Sequence, residues 1–331
     1  MRLRGRSGRA ALGILVSVLA LALVFRSVDL AAAWDALRSA DLRWVVLLVA
    51  FIVADVLLRA VRWKVLLRPV GTVSYGDSLG SLLVGYLANN VLPARLGEVI
   101  RSHDLGERTG ISRTTILGTI VVERLVDTVV VVSIAAVAIL VMSVRGVVAS
   151  AVMVGAAITA LLVMVIALGI VAHRLPGAER VMAPIVRRPR IHGILVRLRA
   201  GLAIAGHAPT MVVAVLLSIG SWSCTVLAFA AAAQAVGVEP TIGQAALLAA
   251  GTNLATAIPA APGYVGTFEL ATVTIAASVG IARAPALAFA VLLHVTTLLI
   301  TSIAGAVAYA MGSRRRRHAA VAETLPEGDP G

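Results

Sequence analysis

Only one cysteine, Cys224, occurs in the 331 residues. An intramolecular disulfide and a multi-cysteine metal site are therefore excluded, and no redox compartment can be read from the chain. Cys224 lies inside an apolar run, where a small packing residue is the expected role. Lysine is nearly missing too, Lys64 being alone among 29 basic residues. Charge of either sign is scarce, at 14% of residues against 60% hydrophobic and a mean hydropathy of +0.98. A soluble domain is excluded by these values together with apolar runs of membrane-spanning length. A β-barrel is excluded because the runs are continuous rather than alternating. No GxxxxGK[ST] phosphate loop occurs, so ATP does not drive this chain directly. No nucleophile–base constellation, metal-ligand cluster or DxD-like pair is visible, so no cofactor or metal is expected and the chain is not expected to be an enzyme.

What remains is an all-α polytopic membrane protein. Its net charge of +13 would point to nucleic acid in a soluble protein. Here the arginines stand in blocks beside apolar runs, where they set orientation and meet anionic headgroups, and no nucleic-acid partner is expected. Residues 1–9 form a basic, cytoplasmic N-terminus before an apolar run, Ala10–Phe25. Phe25-Arg26 interrupts before any small-x-small cleavage site, so this run is read as a retained span rather than a signal peptide. A translocated loop follows, with Asp29, Asp35 and Asp41 balancing its arginines. Further spans are expected at Trp44–Val61, Thr114–Val144, Gly146–Ala172, Ala208–Val236 and Pro285–Met311. Trp44 and Trp63 read as interfacial aromatics, and Arg59, Arg62, Lys64 and Arg68 as a cytoplasmic flank. Asp55 and Arg59, four apart, read as an interfacial ion pair. The segment 173–200 is the clearest cytoplasmic basic loop, and Arg314–Arg317 open a cytoplasmic, disordered tail over 312–331.

Two stretches interrupt this pattern. Gly85–Arg113 runs GYLANNVLPARLGEVIRSHDLGERTGISR, and Gly251–Arg283 is a less charged copy. Gly85/Pro93 and Gly251/Pro259 share one spacing. Gly97-Glu98 and Gly266 with Glu269 give a second match, and both copies close on Gly-Ile-x-Arg. The first apolar arm, Ser78–Leu92, is short for a span. Each stretch is expected to be a re-entrant hairpin broken near Gly85, Pro93 and Gly97, or near Gly251, Pro259, Gly263 and Gly266. Irregular backbone at membrane depth requires a surrounding cavity. A hairpin returns to its own side, so each half, 10–145 and 146–311, crosses three times and the second is inverted. Six spans and two hairpins result, or about eight helical segments by hydropathy. Both termini are then cytoplasmic, and a plasma-membrane location is expected.

Inverted repeats place a site between opposed hairpins. Candidate headgroup ligands are Asn89, Asn90, Arg95, Glu98, Arg101, Glu123, Arg124, Tyr264, Glu269 and His294. Arg95, Arg101 and Arg124 offer guanidinium groups for a phosphate. Glu123 and Asp127 share a helix face within a span, with Arg124 beside them. Glu98, Glu123, Glu269 and His294 are candidate proton carriers.

The stretches NNVLPARLGEVIRSHDLGERTGISRTTILGTIVVERLVD and PAAPGYVGTFE resemble the lysylphosphatidylglycerol synthase transmembrane region, a family also called flippase-like membrane proteins. The resemblance covers about Ala10–Met311. It implies movement of modified lipids between leaflets, with cargo ranging from phospholipids to polyprenyl-linked sugars. In the full synthase a soluble aminoacyl-transfer domain follows; this chain ends about twenty residues after its last span, so lysine transfer is not expected. The expected function is lipid translocation without an ATPase, the partners being membrane lipids with anionic or phosphate-containing headgroups. The alternatives are a membrane-embedded enzyme acting on a lipid phosphate or lipid-linked sugar, and a non-transporting partner of a lipid synthase or glycosyltransferase. Oligomeric state is not readable from the sequence.

Overall fold

The computed structural model describes residues 4–92, 96–146, 200–256 and 260–323, with scattered positions between 149 and 193, and side chains between residues 14 and 313. The fourth expected span, the basic loop over 173–200, and Pro93, Arg95 and Pro259 lie outside the described residues, apart from those scattered positions. Every described element is helical. In chain order the α-helices are α1 (Arg4–Ser27), α2 (Leu30–Arg38), α3 (Leu42–Leu67), α4 (Tyr75–Val91), α5 (Gly97–Thr109), α6 (Arg113–Met142), α7 (Ala208–Ala235), α8 (Ile242–Ala255), α9 (Thr267–Ser278) and α10 (Arg283–Glu323), with short 3-10 turns at Ala203–Gly206 and Pro262–Tyr264.

Four of these, α3, α6, α7 and α10 over 283–313, are long and apolar enough to cross a membrane. A fifth crossing is possible for α1 and α2 taken together, although they meet at 90°. Large apolar side chains stay uncovered on the outer faces, as with Leu140 at 77% and Val141 at 76% exposure. An apolar surface of that kind is stable against lipid and not against water.

Two local features differ from the sequence reading. The loop expected before Arg43 is largely helix, because its aspartates act as caps. Asp29 accepts from the Ala31 and Ala32 amides at 3.0 and 3.1 Å, starting α2, and Asp41 accepts from Arg43 N at 2.9 Å, starting α3. Such caps satisfy amides that have no intrahelical partner. At the other end, α10 runs on to Glu323, past residue 312 where a disordered tail was expected. Arginine and alanine, which fill that stretch, are strong helix formers.

The helices follow one order twice: long, short, short, long in α3–α6, and again in α7–α10. In each group the two short helices pack against each other as a hairpin. Across the groups, α3 packs on α7, α4 on α10 and α6 on α8. Between helices in lipid the attraction comes from close packing rather than from escape from water, so small residues mark the seams. The buried run Ala231–Ala233 on α7 and Ala245, Ala249 and Ala250 on α8 serve this purpose.

Gly85 and Gly251 are not breaks, as the sequence reading had them. Both lie inside helices, where they permit close approach of the hairpin arms. A Cβ on Gly85 would stand 3.0 Å from the Arg101 Cβ, and one on Gly251 would stand 2.7 Å from Ile275 Cδ1. Among the described residues the chain leaves α-helical geometry later, at Leu92 and Leu96 and at Thr256 and 260–266. In the second break Gly263 and Gly266 adopt φ of +67° and +85°, the left-handed region that side chains resist.

Candidate functional site

α3 carries a buried stripe, Leu48, Ile52, Val56, Ala60, Trp63 and Leu67, at helical spacing. Asp55, Arg59 and Arg62 are set one residue to its side, so the same faces that pack the bundle also bring charge inward. α6 does likewise with Glu123, Asp127 and Val130. The result is a buried ionic network between α3, α5, α6 and α7.

Arg62 is at its centre, with no exposure. Its Nη2 donates to Glu123 Oε1 at 3.0 Å and to Asp127 Oδ2 at 2.9 Å; its Nη1 donates to Ser218 Oγ at 2.6 Å and also to Asp127 Oδ1. Arg101 of α5 pairs with Glu123 Oε2, and its guanidinium lies 4.2 Å over the Trp63 ring. Arg124 donates to Glu123 Oε1 at 2.8 Å and stands 3.6 Å from Asp127. Arg59 meets both Asp55 oxygens at 2.9 Å and reaches Asp127 at 3.5 Å. Ser221 donates to Asp55, and Trp222 Nε1 to Asp127 Oδ1 at 3.3 Å. Four guanidinium groups thus face three carboxylates, leaving one net positive charge. In a low-dielectric interior each charge needs a partner, and the surplus belongs where solvent reaches it. That place is Arg124, whose side chain is 43% exposed against 0–12% for the other three arginines.

Arg124 opens into a cavity of about 480 Å³ enclosed by both hairpins and all four long helices. From the first group of helices Asp55, Arg59, Tyr86, Asn89, Asn90, Glu98, Arg101, Arg124 and Asp127 line it; from the second, Trp222, Asn253, Tyr264, His294, Thr297 and Thr301. This volume suits a small polar group and falls within the range of ligand sites. Glu98 is half-buried there without a hydrogen-bond or ion-pair partner among the described residues. Asn89 spends its oxygen on the first break, accepting from Gly97 N at 2.8 Å. Asn90 joins the two groups, donating to Thr301 Oγ1 and Ser302 Oγ at 3.0 Å each.

The second break is satisfied by side chains from three helices. Ser17 of α1 accepts from Ala261 N at 3.0 Å, Glu269 Oε2 accepts from Gly266 N at 2.6 Å, and His294 Nε2 donates to the Gly263 carbonyl at 2.7 Å. His294 Nδ1 in turn faces Glu269 Oε1 at 2.6 Å, and its ring stacks on Phe268 with centroids 4.4 Å apart.

Of the residues singled out from sequence, Asn89, Asn90, Glu98, Arg101, Arg124, Tyr264 and His294 line this cavity, and Arg95 lies outside the described residues. Glu123 does not reach it; fully buried behind three arginines, it is a structural counter-ion. Glu269 stands behind His294. The charges Arg59 and Arg62, read as a cytoplasmic flank, are buried members of the network, and the Asp55–Arg59 pair faces the cavity instead of lying at an interface. Trp63 is fully buried and no interfacial anchor, because its Nε1 donates to Thr119 Oγ1 at 3.3 Å and its face receives Arg101. Tyr86, Trp222, Asn253 and Thr297 were not foreseen. A detectable signal existed only for α3, whose charges continue the spacing of its buried stripe.

The glycosyltransferase AglD of Haloferax volcanii is 28% identical to this chain, over 88% of the chain and 53% of the relative. The chain thus spans about half the length of this curated relative. No solved structure matches it. The family model described as lysylphosphatidylglycerol synthase TM region matches residues 10–305. The chain therefore belongs to the lysylphosphatidylglycerol synthase TM region family.

Proposed function

We propose that this protein is a lipid translocase without its own ATPase, passing a phosphate-containing headgroup through the cavity between its two hairpins. The observation that carries the reading is the cavity itself, a chamber between the spanning helices in which Arg124, the exposed cation of the buried network, stands with Glu98 and several amide and hydroxyl side chains among apolar ones. About 480 Å³ accommodates a headgroup and not a whole lipid, so the acyl chains stay in the bilayer while the headgroup crosses. Arg124 supplies the primary anion contact, with Asn89 and Tyr86 as further donors.

In this reading residues 10–145 and 146–311 are inverted repeats of three spans and one hairpin each, giving about eight helical membrane segments. The support is the repeated helix order and the reciprocal packing of α4 on α10 and of α6 on α8, as an approximate two-fold axis in the membrane plane would produce. Arg124 and His294 then occupy equivalent positions, each eleven residues into its long helix. The basic flanks at 1–9, 173–199 and 314–317, with Lys64 and Arg68 at the end of α3, all face the cytoplasm in this arrangement, whose natural setting is the plasma membrane.

The test is reconstitution in liposomes carrying a fluorescent headgroup lipid, with an impermeant quencher added outside. Protein-dependent loss of the protected half of the signal is the expected result, and its retention for every phosphate headgroup would overturn the proposal. Replacing Arg124 by Gln should slow the loss about ten- to a hundredfold, the worth of a hydrogen bond to a charged group. Arg62 and Arg101 still neutralise Glu123 in that variant, so the fold should persist.

A second reading is favoured by one finding: the relative named a glycosyltransferase is about twice as long as the region it shares with this chain. Here the chain presents a lipid-linked sugar to a glycosyltransferase partner. Quencher protection that persists, together with saturable binding of a polyprenyl-phosphate sugar, would favour it over translocation.

A further inference from the structure

The proton inventory of the Glu269–His294 pair is fixed by geometry. The Gly263 carbonyl can only accept, so His294 Nε2 carries a hydrogen. Nδ1 and Glu269 Oε1 stand 2.6 Å apart. Without a proton between them two lone pairs would oppose each other at that distance, so one proton is shared. The pair is then neutral as a whole, whether written as imidazolium–carboxylate or as imidazole–carboxylic acid. Both residues are nearly buried, at 6% and 7% exposure, yet His294 lines the cavity and so has a route for its proton.

The same two side chains hold the second hairpin in place. Glu269 caps Gly266 through its other oxygen, and His294 fastens Gly263 to α10. Two left-handed residues of the break are thereby tied to a spanning helix through one shared proton. Removing it gives the pair a charge of −1 in a low-dielectric site, with repulsion across the former contact.

Other titratable groups do not substitute for this proton. α1 and α7, which also pack around this hairpin, bring Ser17 and Phe229 to it rather than a charge. Across the cavity α3 presents Asp55 and Arg59, and α6 presents Arg124 and Asp127, all paired among themselves. From α4 comes Tyr86, from α5 Arg101, paired with Glu123, and Glu98, and Tyr264 belongs to the break itself. No ion pair links any of these to Glu269 or His294 among the described residues.

We propose that the Glu269–His294 pair is a proton-operated latch: the shared proton closes the second hairpin onto α10, and its departure into the cavity releases the hairpin. The inference rests on the translocase reading for its purpose, making passage of the headgroup dependent on one proton, but the latch itself is testable without any lipid assay.

Val265 stands at the break and is 43% exposed. In protein with Cys224 replaced, a Val265→Cys variant is labelled with an impermeant maleimide in proteoliposomes over a series of pH values. An Ile242→Cys variant, on the exposed start of α8, corrects for thiolate chemistry. The corrected labelling rate should rise with pH, by up to about tenfold per unit for a one-proton linkage. Glu269→Gln keeps the Gly266 cap and donates permanently to Nδ1, so it should label slowly at every pH. His294→Ala should label fast at every pH. Opposite responses identify a latch, whereas a merely structural pair would loosen in both variants. A flat profile in the parent protein, or the same response from both variants, would overturn the proposal. If labelling follows the latch while lipid transport is absent at all pH values, the latch stands and the translocase reading fails.

Discussion

Replacing Glu123 by alanine is expected to destabilise the protein by about 3–5 kcal/mol, the cost of removing one member of a buried, paired set of charges. Three guanidinium groups, from Arg62, Arg101 and Arg124, share this carboxylate. Without it Arg101 loses its only ion-pair partner among the described residues, while its position on Trp63 stays closed to water. Four arginines would then face two carboxylates. Arg101 and Arg62 have little freedom to seek solvent, at 4% and 0% side-chain exposure. Thermal unfolding in detergent measures the effect. Removing a cation as well, in a Glu123→Met/Arg101→Met double variant, should restore part of the loss, because exchanging a whole buried pair for apolar groups is often near neutral. A Glu123→Ala protein that melts with the parent would show that the network is not closed as described.

Replacing Gly97 by alanine should cost about 3 kcal/mol, the upper part of the range for overpacking a closed site. The added Cβ would lie 2.2 Å from the Gly85 carbonyl oxygen and 2.6 Å from Asn89 Cγ and Oδ1. The first obstacle is backbone and cannot turn aside. The second is the side chain that caps Gly97 N, so moving it exposes a donor. The arms of the first hairpin must separate, and α5 would carry Glu98 and Arg101 away from the cavity. Gly220→Ala is the control: its Cβ meets only Leu58 Cδ1 at 3.6 Å, an ordinary contact, and alanine is the better helix former. It should leave unfolding within about 0.5 kcal/mol of the parent.

The outline of the molecule was legible because its signals are local. Apolar runs specify spans, Asn-Asn-x-x-Pro and Pro-Gly-Tyr-x-Gly specify breaks, and the spacing of Glu123 and Asp127 puts both on one face. Where the reading erred, the deciding contact comes from a distant helix. Arg62 near the end of an apolar run looks like an interfacial anchor until Asp127, 65 residues later, is placed against it. Trp63 looked like an interfacial aromatic for the same reason. Gly85 and Gly251 were read as breaks because a glycine in an apolar segment signals either a bend or a close approach, and only the neighbouring helix decides. The stretch before Arg43 read as a loop from its charge, although Asp29 and Asp41 stand where helix caps are wanted. Cavity residues such as Asn253 and Thr297 carried no distinguishing pattern, being ordinary polar positions in apolar helices.

The central claim is that one cavity between the hairpins is reached from both sides of the membrane in turn. Thr297 lines that cavity from α10, and among the described residues its hydroxyl bonds only within its own helix, to the Leu293 carbonyl at 2.8 Å. Thr297→Cys, with Cys224 replaced, can therefore report on access with little disturbance. Proteoliposomes of known orientation are labelled with an impermeant maleimide, added outside in one sample and enclosed inside in another. Reaction from both sides is the predicted result, with each rate lowered by saturating lipid headgroup. Reaction from one side alone, whatever the lipid or pH, would contradict it.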